Sequence, residues 1–263
     1  MRIKANGITF NYEVEGPEGA PWVIFSNSLA TDLSLWDAQA KALNNSFHIL
    51  RYDQRGHGGT EATDGRYNFD LLAADVVALM DALSIKRAHF VGISMGGMTG
   101  LALAQKHPDR VQKLAPCDCG PASSPASAQQ WEERIAVAEK EGMEPLFVAT
   151  AKRWFPPDYP ATSPAFQKAL QMIRTTPVKG FIGCAGALAN FDLKPGLPAI
   201  KAPTLLIVGS KTRAPARAVV DMLGATLPNA TVTVLNDAGH MSPFTHPSAV
   251  NRMIAGHLAA QQQ

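Results

Sequence analysis

The sequence has few cysteines, no excess of charge of either sign and no metal-binding pattern. Three cysteines among 263 residues are too few for a disulfide framework, so we expect reduced thiols. The pair Cys117 and Cys119 has no second Cys or His pair at ligand spacing, and neither H-E-x-x-H nor C-x-x-C occurs. We therefore expect no metal and no other cofactor. A net charge of +2 without a basic stripe argues against nucleic acid and anionic membranes as partners.

Long apolar runs are also missing. No segment approaches the roughly 18 apolar residues that a membrane span requires. The amino-terminal segment "MRIKANGITFNYEVEG" alternates like a strand and lacks the apolar region of a signal peptide. With 46% hydrophobic residues the chain has ample material for a buried core. These features predict a cytoplasmic protein, a monomer or small homo-oligomer, that acts on a small molecule.

Hydrophobic periodicity predicts a mostly parallel sheet. Strand-like and helix-like segments alternate from residue 8 to about residue 108 and again from residue 203 to the last helix, which begins near Pro247. One of the later helices is predicted over residues 216–227. Such alternation is typical of β–α units whose sheet is covered by helices on both faces. Chemistry is then expected in the loops that follow the strands.

The alternation stops in the middle of the chain. Residues 121–195 show helical periodicity that Pro and Gly interrupt, without a convincing strand. We interpret them as a helical cap, or lid, inserted into a core formed by residues 1–120 and 196–263.

The segment "VGISMGG" places Ser94 in a G-x-S-x-G motif, between a predicted strand and a predicted helix. Gly92 and Gly96 fit such a motif because a sharp strand-to-helix turn has no room for their side chains. A glycine-rich turn in which the serine merely caps the helix is the simpler alternative. The strand and helix context favours a catalytic nucleophile.

A serine hydroxyl needs a base, and His240, which follows the last predicted strand, fits the chain order of this arrangement. His57, in a tight loop after a strand, is better explained by packing. The oxyanion needs preorganised donors. We expect these to be the backbone N–H groups of Met95, directly after the nucleophile, and of Leu29, in the loop after the third strand.

Four segments resemble the α/β-hydrolase superfamily and, within it, the 3-oxoadipate enol-lactonases: "FSNSLATDLSLWDAQ", "LRYDQRGHG", "GISMGGMTGLALA" and "RWF" at residues 153–155. The more specific feature is the pair Asn27 and Ser28, where most α/β-hydrolases have His-Gly. The resemblance covers nearly the whole chain and is weakest in the cap. It implies an α/β-hydrolase fold, with an eight-stranded, mostly parallel sheet and a helical cap inserted after strand 6.

The resemblance also implies hydrolysis of a five-membered enol-lactone with an acetate arm, which gives 3-oxoadipate. The carboxylate of that arm needs a cation or several donors. The candidate substrate-binding residues are Ser28, the cap cations Arg134, Lys152 and Arg153, and the cap tryptophans Trp131 and Trp154. The alternative for these cap residues is a solvated helix face and cap core.

The acid of the catalytic triad is missing from its usual place. Related hydrolases carry an aspartate shortly after the glycine that ends the seventh strand, here Gly209, but this chain continues "SKTRAP". Three explanations stay open. The acid has moved to Asp118, after the preceding strand; or a Ser94–His240 dyad remains, in a natural or engineered variant with reduced activity; or Asp237 or Asp221 serves, although each has a simpler structural role.

Three functions compete on this evidence. The first is an enol-lactonase-like serine hydrolase, and the second is a general carboxylesterase or lactonase of the same fold. The third is a ligand-binding relative whose catalytic site has degraded.

Overall fold

The computed structural model describes residues 1–213, 215 and 217–260. In this part of the chain eight strands form one sheet. They are β1 (Arg2–Ala5), β2 (Ile8–Glu15), β3 (Trp22–Ser26), β4 (His48–Tyr52), β5 (Ala88–Ile93), β6 (Val111–Cys117), β7 (Thr204–Gly209) and β8 (Ala230–Leu235).

The strand order is β1-β2-β4-β3-β5-β6-β7-β8. β1 and β2 pair antiparallel, as do β2 and β4, and every later pairing is parallel. The residues of β5 and β7 are buried along their whole lengths, as expected for central strands covered on both faces. The carboxyl ends of β3, β5, β6, β7 and β8 therefore meet at one edge of the sheet.

Helices connect and cover these strands. They are α1 (Asp37–Leu43), α2 (Phe69–Ala82), α3 (Met95–Lys106), α4 (Pro125–Glu141), α5 (Glu144–Trp154), α6 (Pro164–Thr175), α7 (Val178–Ala189), α8 (Arg217–Thr226), α9 (Ser242–Thr245) and α10 (Pro247–Ala259). Short 3₁₀ segments lie at Leu33–Trp36, Pro108–Arg110 and Lys194–Ala199.

Local chemistry explains where several helices begin. The side chains of Asn68, Ser124 and Ser163 accept hydrogen bonds from backbone N–H groups in the first turns of α2, α4 and α6. α4 and α6 also begin with proline, which lacks the N–H that a first helical residue would leave unpaired.

The predicted fold class is confirmed: helices cover a mostly parallel sheet, and α4 to α7 lie between β6 and β7. The division of the chain at residues 121 and 195 stays a prediction. Ala216, the first residue of the helix predicted over 216–227, lies outside the described residues, as do residues 261–263 of the predicted core. In the described chain no helix is both long and apolar enough to cross a bilayer.

Candidate active site

Ser94 lies at the turn between β5 and α3 in a strained conformation. Its φ of 52° and ψ of −116° are values that side-chain-bearing residues rarely adopt. A Cβ on Gly92 would collide with the backbone of Gly96, and a Cβ on Gly96 would collide with the carbonyl oxygen of Ser26. The glycines therefore permit the tight packing that holds the serine at the turn, as the motif predicted.

A cavity of about 300 Å³ opens beside this serine, between the carboxyl edge of the sheet and the helices α4 and α5. Residues of the core and of the segment between β6 and β7 both line it. Among them are Ser28, Leu29, Ser94, Asp118, Trp131, Arg134, Arg153, Trp154, Arg213 and His240. The structure thus brings to one cavity every residue of the predicted site except Met95 and Lys152.

His240 lies between β8 and α9 and is only 8% exposed. It lines the cavity together with Ser94. Leu29, in the segment after β3, lines the cavity as well, and Met95 is the first residue of α3, directly after Ser94. The two backbones predicted to supply the oxyanion donors thus belong to neighbouring elements at the same edge of the sheet.

Asp118 follows β6 with a φ of 46° and is buried. One carboxylate oxygen accepts a hydrogen bond from the backbone N–H of Gly209 at 3.0 Å, and the other accepts from the hydroxyl of Ser242 at 3.0 Å. The side chain of Thr212 forms a further hydrogen bond with it. Burial raises the pKa of Asp118 to about 7, although these three hydrogen bonds oppose the rise.

The other carboxylates considered from the sequence face solvent. Asp237 is exposed and forms an ion pair with Lys211, with 3.2 Å between Nζ and Oδ1. Asp221, on α8, pairs with Arg217 one turn away at 2.7 Å. Of the aspartates weighed as the third member of the triad, Asp118 is the one that lines the cavity.

The cap residues predicted to contact substrate divide into two groups. Trp131, Arg134, Arg153 and Trp154 line the cavity, and the guanidinium of Arg134 lies over the ring of Trp131 at 4.6 Å from its centroid. Lys152 is exposed on α5 and lies outside the lining.

Ser28 is a cavity residue with an unusual hydroxyl. It is 1% exposed, and its Oγ has no hydrogen-bond partner among the described residues. A buried hydroxyl without a partner costs free energy, which a polar group of a ligand would recover.

His57, treated as a packing residue, is fully buried, and its Nδ1 lies 3.1 Å from the carbonyl oxygen of Arg55. Burial lowers the pKa of His57 to about 4, so this imidazole is neutral at physiological pH.

Sequence reasoning missed the residues that hold Asp118. Ser242 is two residues after His240, and Thr212 lies in the segment that lacks the usual acid, but neither belongs to a motif. It also missed Arg213 as a cavity residue. A polar residue close to a predicted catalytic residue is too weak a signal to have identified them.

Comparison with known proteins identifies the family of this chain. Residues 21–247 match the family described as alpha/beta hydrolase fold. A 3-oxoadipate enol-lactonase from Acinetobacter baylyi is 34% identical over 96% of this chain and 94% of its own length. The crystal structure of the enol-lactonase from Burkholderia xenovorans LB400 superposes with a TM-score of 0.94, at 37% identity, over 99% of this chain and 100% of that one.

A more distant neighbour is a thermophilic esterase from Thermogutta terrifontis with malate bound. It has a TM-score of 0.91 and 26% identity, and the match covers 98% of both chains. The family match spans most of the chain, and the similar proteins include lactone and ester hydrolases. The chain therefore belongs to the alpha/beta hydrolase family and is a carboxylic ester hydrolase.

Proposed function

We propose that this chain hydrolyses a small lactone or ester that bears a carboxylate, and that 3-oxoadipate enol-lactone is its substrate. The observation that carries the proposal is the meeting of Ser94, His240 and Asp118 in one cavity whose other walls hold arginines and tryptophans. The similarity to the enol-lactonases of Acinetobacter baylyi and Burkholderia xenovorans supports the choice of substrate.

In the proposed mechanism the Ser94 hydroxyl attacks the ring carbonyl while His240 takes its proton. The N–H groups of Leu29 and Met95 stabilise the oxyanion. Collapse of the tetrahedral intermediate breaks the ring C–O bond, and the leaving oxygen takes the proton from His240 to form an enol, which becomes a ketone. Water, deprotonated by His240, then releases the acyl group from Ser94 as a carboxylate.

Asp118 orients His240 and stabilises its protonated form in this proposal. The carboxylate can do so only when it is ionised, and burial raises its pKa to about 7. The bonds from Gly209, Ser242 and Thr212 favour the ionised form and fix the carboxylate at the end of β6. A carboxylate at this strand end thereby takes the role of the acid that related hydrolases carry after β7.

The carboxylate arm of the substrate binds to Arg134 in this proposal. The stacked ring of Trp131 holds the guanidinium over one side of the cavity, which restricts its rotamers before the substrate arrives. Trp154 supplies an apolar wall, and the Ser28 hydroxyl supplies a hydrogen bond to a polar group of the substrate.

A general esterase is the second candidate, because the esterase from Thermogutta terrifontis also has a similar structure. Side-by-side measurement of kcat/KM on 3-oxoadipate enol-lactone and on p-nitrophenyl acetate separates the two. We expect a strong preference for the enol-lactone, which Arg134→Gln reduces without an equal loss on the acetate ester. A preference for the simple ester rejects the enol-lactonase function.

Covalent labelling tests whether the site is catalytic at all. A fluorophosphonate should label the wild-type protein and leave Ser94→Ala unlabelled. Ser123, which lines the same cavity but lies outside the turn, offers a control: Ser123→Ala should be labelled normally. A wild-type protein that resists labelling would support the ligand-binding alternative.

A further inference from the structure

Among the described residues, Arg153 and Arg213, like Arg134, line the cavity without an acidic partner. Arg153, on α5, is half-buried, and Arg213 lies in the segment between β7 and α8. Both line the cavity. Within the described part of the chain, neither guanidinium forms an ion pair with a carboxylate. The exposed Arg213 can keep its charge hydrated, whereas a charge on the half-buried Arg153 is normally paired.

The polar residues 210–213, which follow β7, have different partners. Ser210 accepts a hydrogen bond from the backbone N–H of Asp237 at 2.9 Å, and Lys211 pairs with the carboxylate of Asp237. Thr212 bonds to the buried carboxylate at the end of β6. Arg213 is the charged residue of this segment that lines the cavity. The segment that lacks the usual acid therefore contributes a cation to the same site.

The two guanidiniums also repel each other. Burial lowers the pKa of Arg153, and the charge of Arg213 lowers it further. An anion bound near both guanidiniums would relieve this repulsion.

Arg134 belongs to a different helix, α4, where its guanidinium lies over the ring of Trp131. We propose that Arg153 and Arg213 form a second carboxylate subsite, so that the pocket accepts small lactones or esters that carry two carboxylates. This inference rests on the proposed function only in assigning the ester bond to Ser94 and the first carboxylate to Arg134. An arginine pair suits a carboxylate because each planar guanidinium can donate two parallel hydrogen bonds.

Three aryl esters of increasing charge test the subsite: p-nitrophenyl acetate, mono-p-nitrophenyl glutarate and mono-p-nitrophenyl tricarballylate, which carry none, one and two carboxylates. We expect Arg213→Gln and Arg153→Gln each to lower kcat/KM for the dicarboxylate ester by roughly 10- to 100-fold, the usual range for a charge-assisted hydrogen bond. The loss on the acetate ester should stay under about twofold. The matched control is Arg217→Gln, four residues along and paired with Asp221, which should leave all three values unchanged.

A double variant tests whether the second subsite is separate from the first. If Arg134 and Arg213 bind different carboxylates, their Gln variants should have additive effects in free energy on the dicarboxylate ester. If both bind one carboxylate, the double variant should lose much less than the sum. Non-additive losses, equal losses on all three esters, or no loss in Arg213→Gln would each overturn the proposal.

A binding measurement on an inactive variant tests the subsite separately from the proposed function. Calorimetric titration of Ser94→Ala with tricarballylate should give a dissociation constant that Arg213→Gln weakens at least tenfold and Arg217→Gln does not. If no ester is hydrolysed, the proposed function fails while this titration still decides the subsite. If esters are hydrolysed but tricarballylate binds equally with and without Arg213, the subsite fails alone.

Discussion

Replacing Asp118 by asparagine removes a charge and changes almost no volume. The amide oxygen of asparagine can accept from Gly209 N–H as the carboxylate does. Its NH₂ group can donate to the Ser242 hydroxyl, which both donates and accepts. Asp118→Asn should therefore keep the local structure, and its effects on stability and activity should have opposite signs.

The sign for stability follows from the raised pKa. The folded protein keeps the Asp118 proton up to about pH 7, whereas the unfolded chain loses it near the ordinary value of 3.8. The folded state is therefore penalised as the pH rises between these two values, and the full penalty of about 4 kcal/mol applies above pH 7. Asp118→Asn lacks this penalty. Its free energy of unfolding, relative to wild type, should rise by about 4 kcal/mol between pH 4 and pH 8.

The sign for activity is the reverse. In the serine-protease triad, loss of the aspartate charge lowers kcat by about 10⁴. We expect Asp118→Asn to lower kcat/KM on p-nitrophenyl acetate by about 10²- to 10⁴-fold at pH 8. The assay is a pH–rate profile from pH 5 to pH 9, with urea unfolding of both proteins at pH 4 and pH 8. A variant within twofold of wild-type kcat/KM would refute a catalytic Asp118, and parallel losses of stability and activity would make it structural.

Three further variants test the surroundings of the site. Ser242→Ala removes one donor to Asp118, so the pKa of Asp118 should rise and the acid limb of kcat/KM should move to higher pH; a profile displaced to lower pH would contradict this. Gly96→Ala should cost about 3 kcal/mol in urea unfolding because its Cβ meets a backbone carbonyl, whereas Gly256→Ala, with open space, should cost nothing. Ser28→Ala removes a buried hydroxyl without a partner among the described residues, so the free energy of unfolding should rise by about 1 kcal/mol while KM for the enol-lactone rises; a loss of stability would reveal a structural role.

The fold was predictable because its signals are local. The strands β2 to β5 lie within the first alternating stretch, residues 8–108, and β7 and β8 lie within the second, which begins at residue 203. The turn at Ser94 follows from two glycines at fixed spacing. The position of His240 followed from chain order. The mostly parallel sheet then required the ends of these strands to meet at one edge.

The surroundings of Asp118 could not be predicted in the same way. Its carboxylate bonds to residues 91 and 124 positions away, and no local pattern records such a contact. The same holds for Arg213, because it lies 60 residues from the predicted cation Arg153 and no local pattern places the two in one cavity. The local sequence around a cation in a polar segment does not show whether its side chain faces solvent or a cavity.

The sequence by itself determined the order of strands and helices, the strained turn at Ser94 and the class of hydrolase, because backbone propensity and hydrophobic period act over a few residues. Only the tertiary structure decided which carboxylate enters the cavity and which cations lack partners. These depend on the pairing of β6 with β7 and on how α5 packs over the sheet edge. Sheet register and helix packing are set by the whole core, so the sequence offered Asp118 as one of several candidate acids, while its contacts with Gly209 and Ser242 were set by the tertiary structure alone.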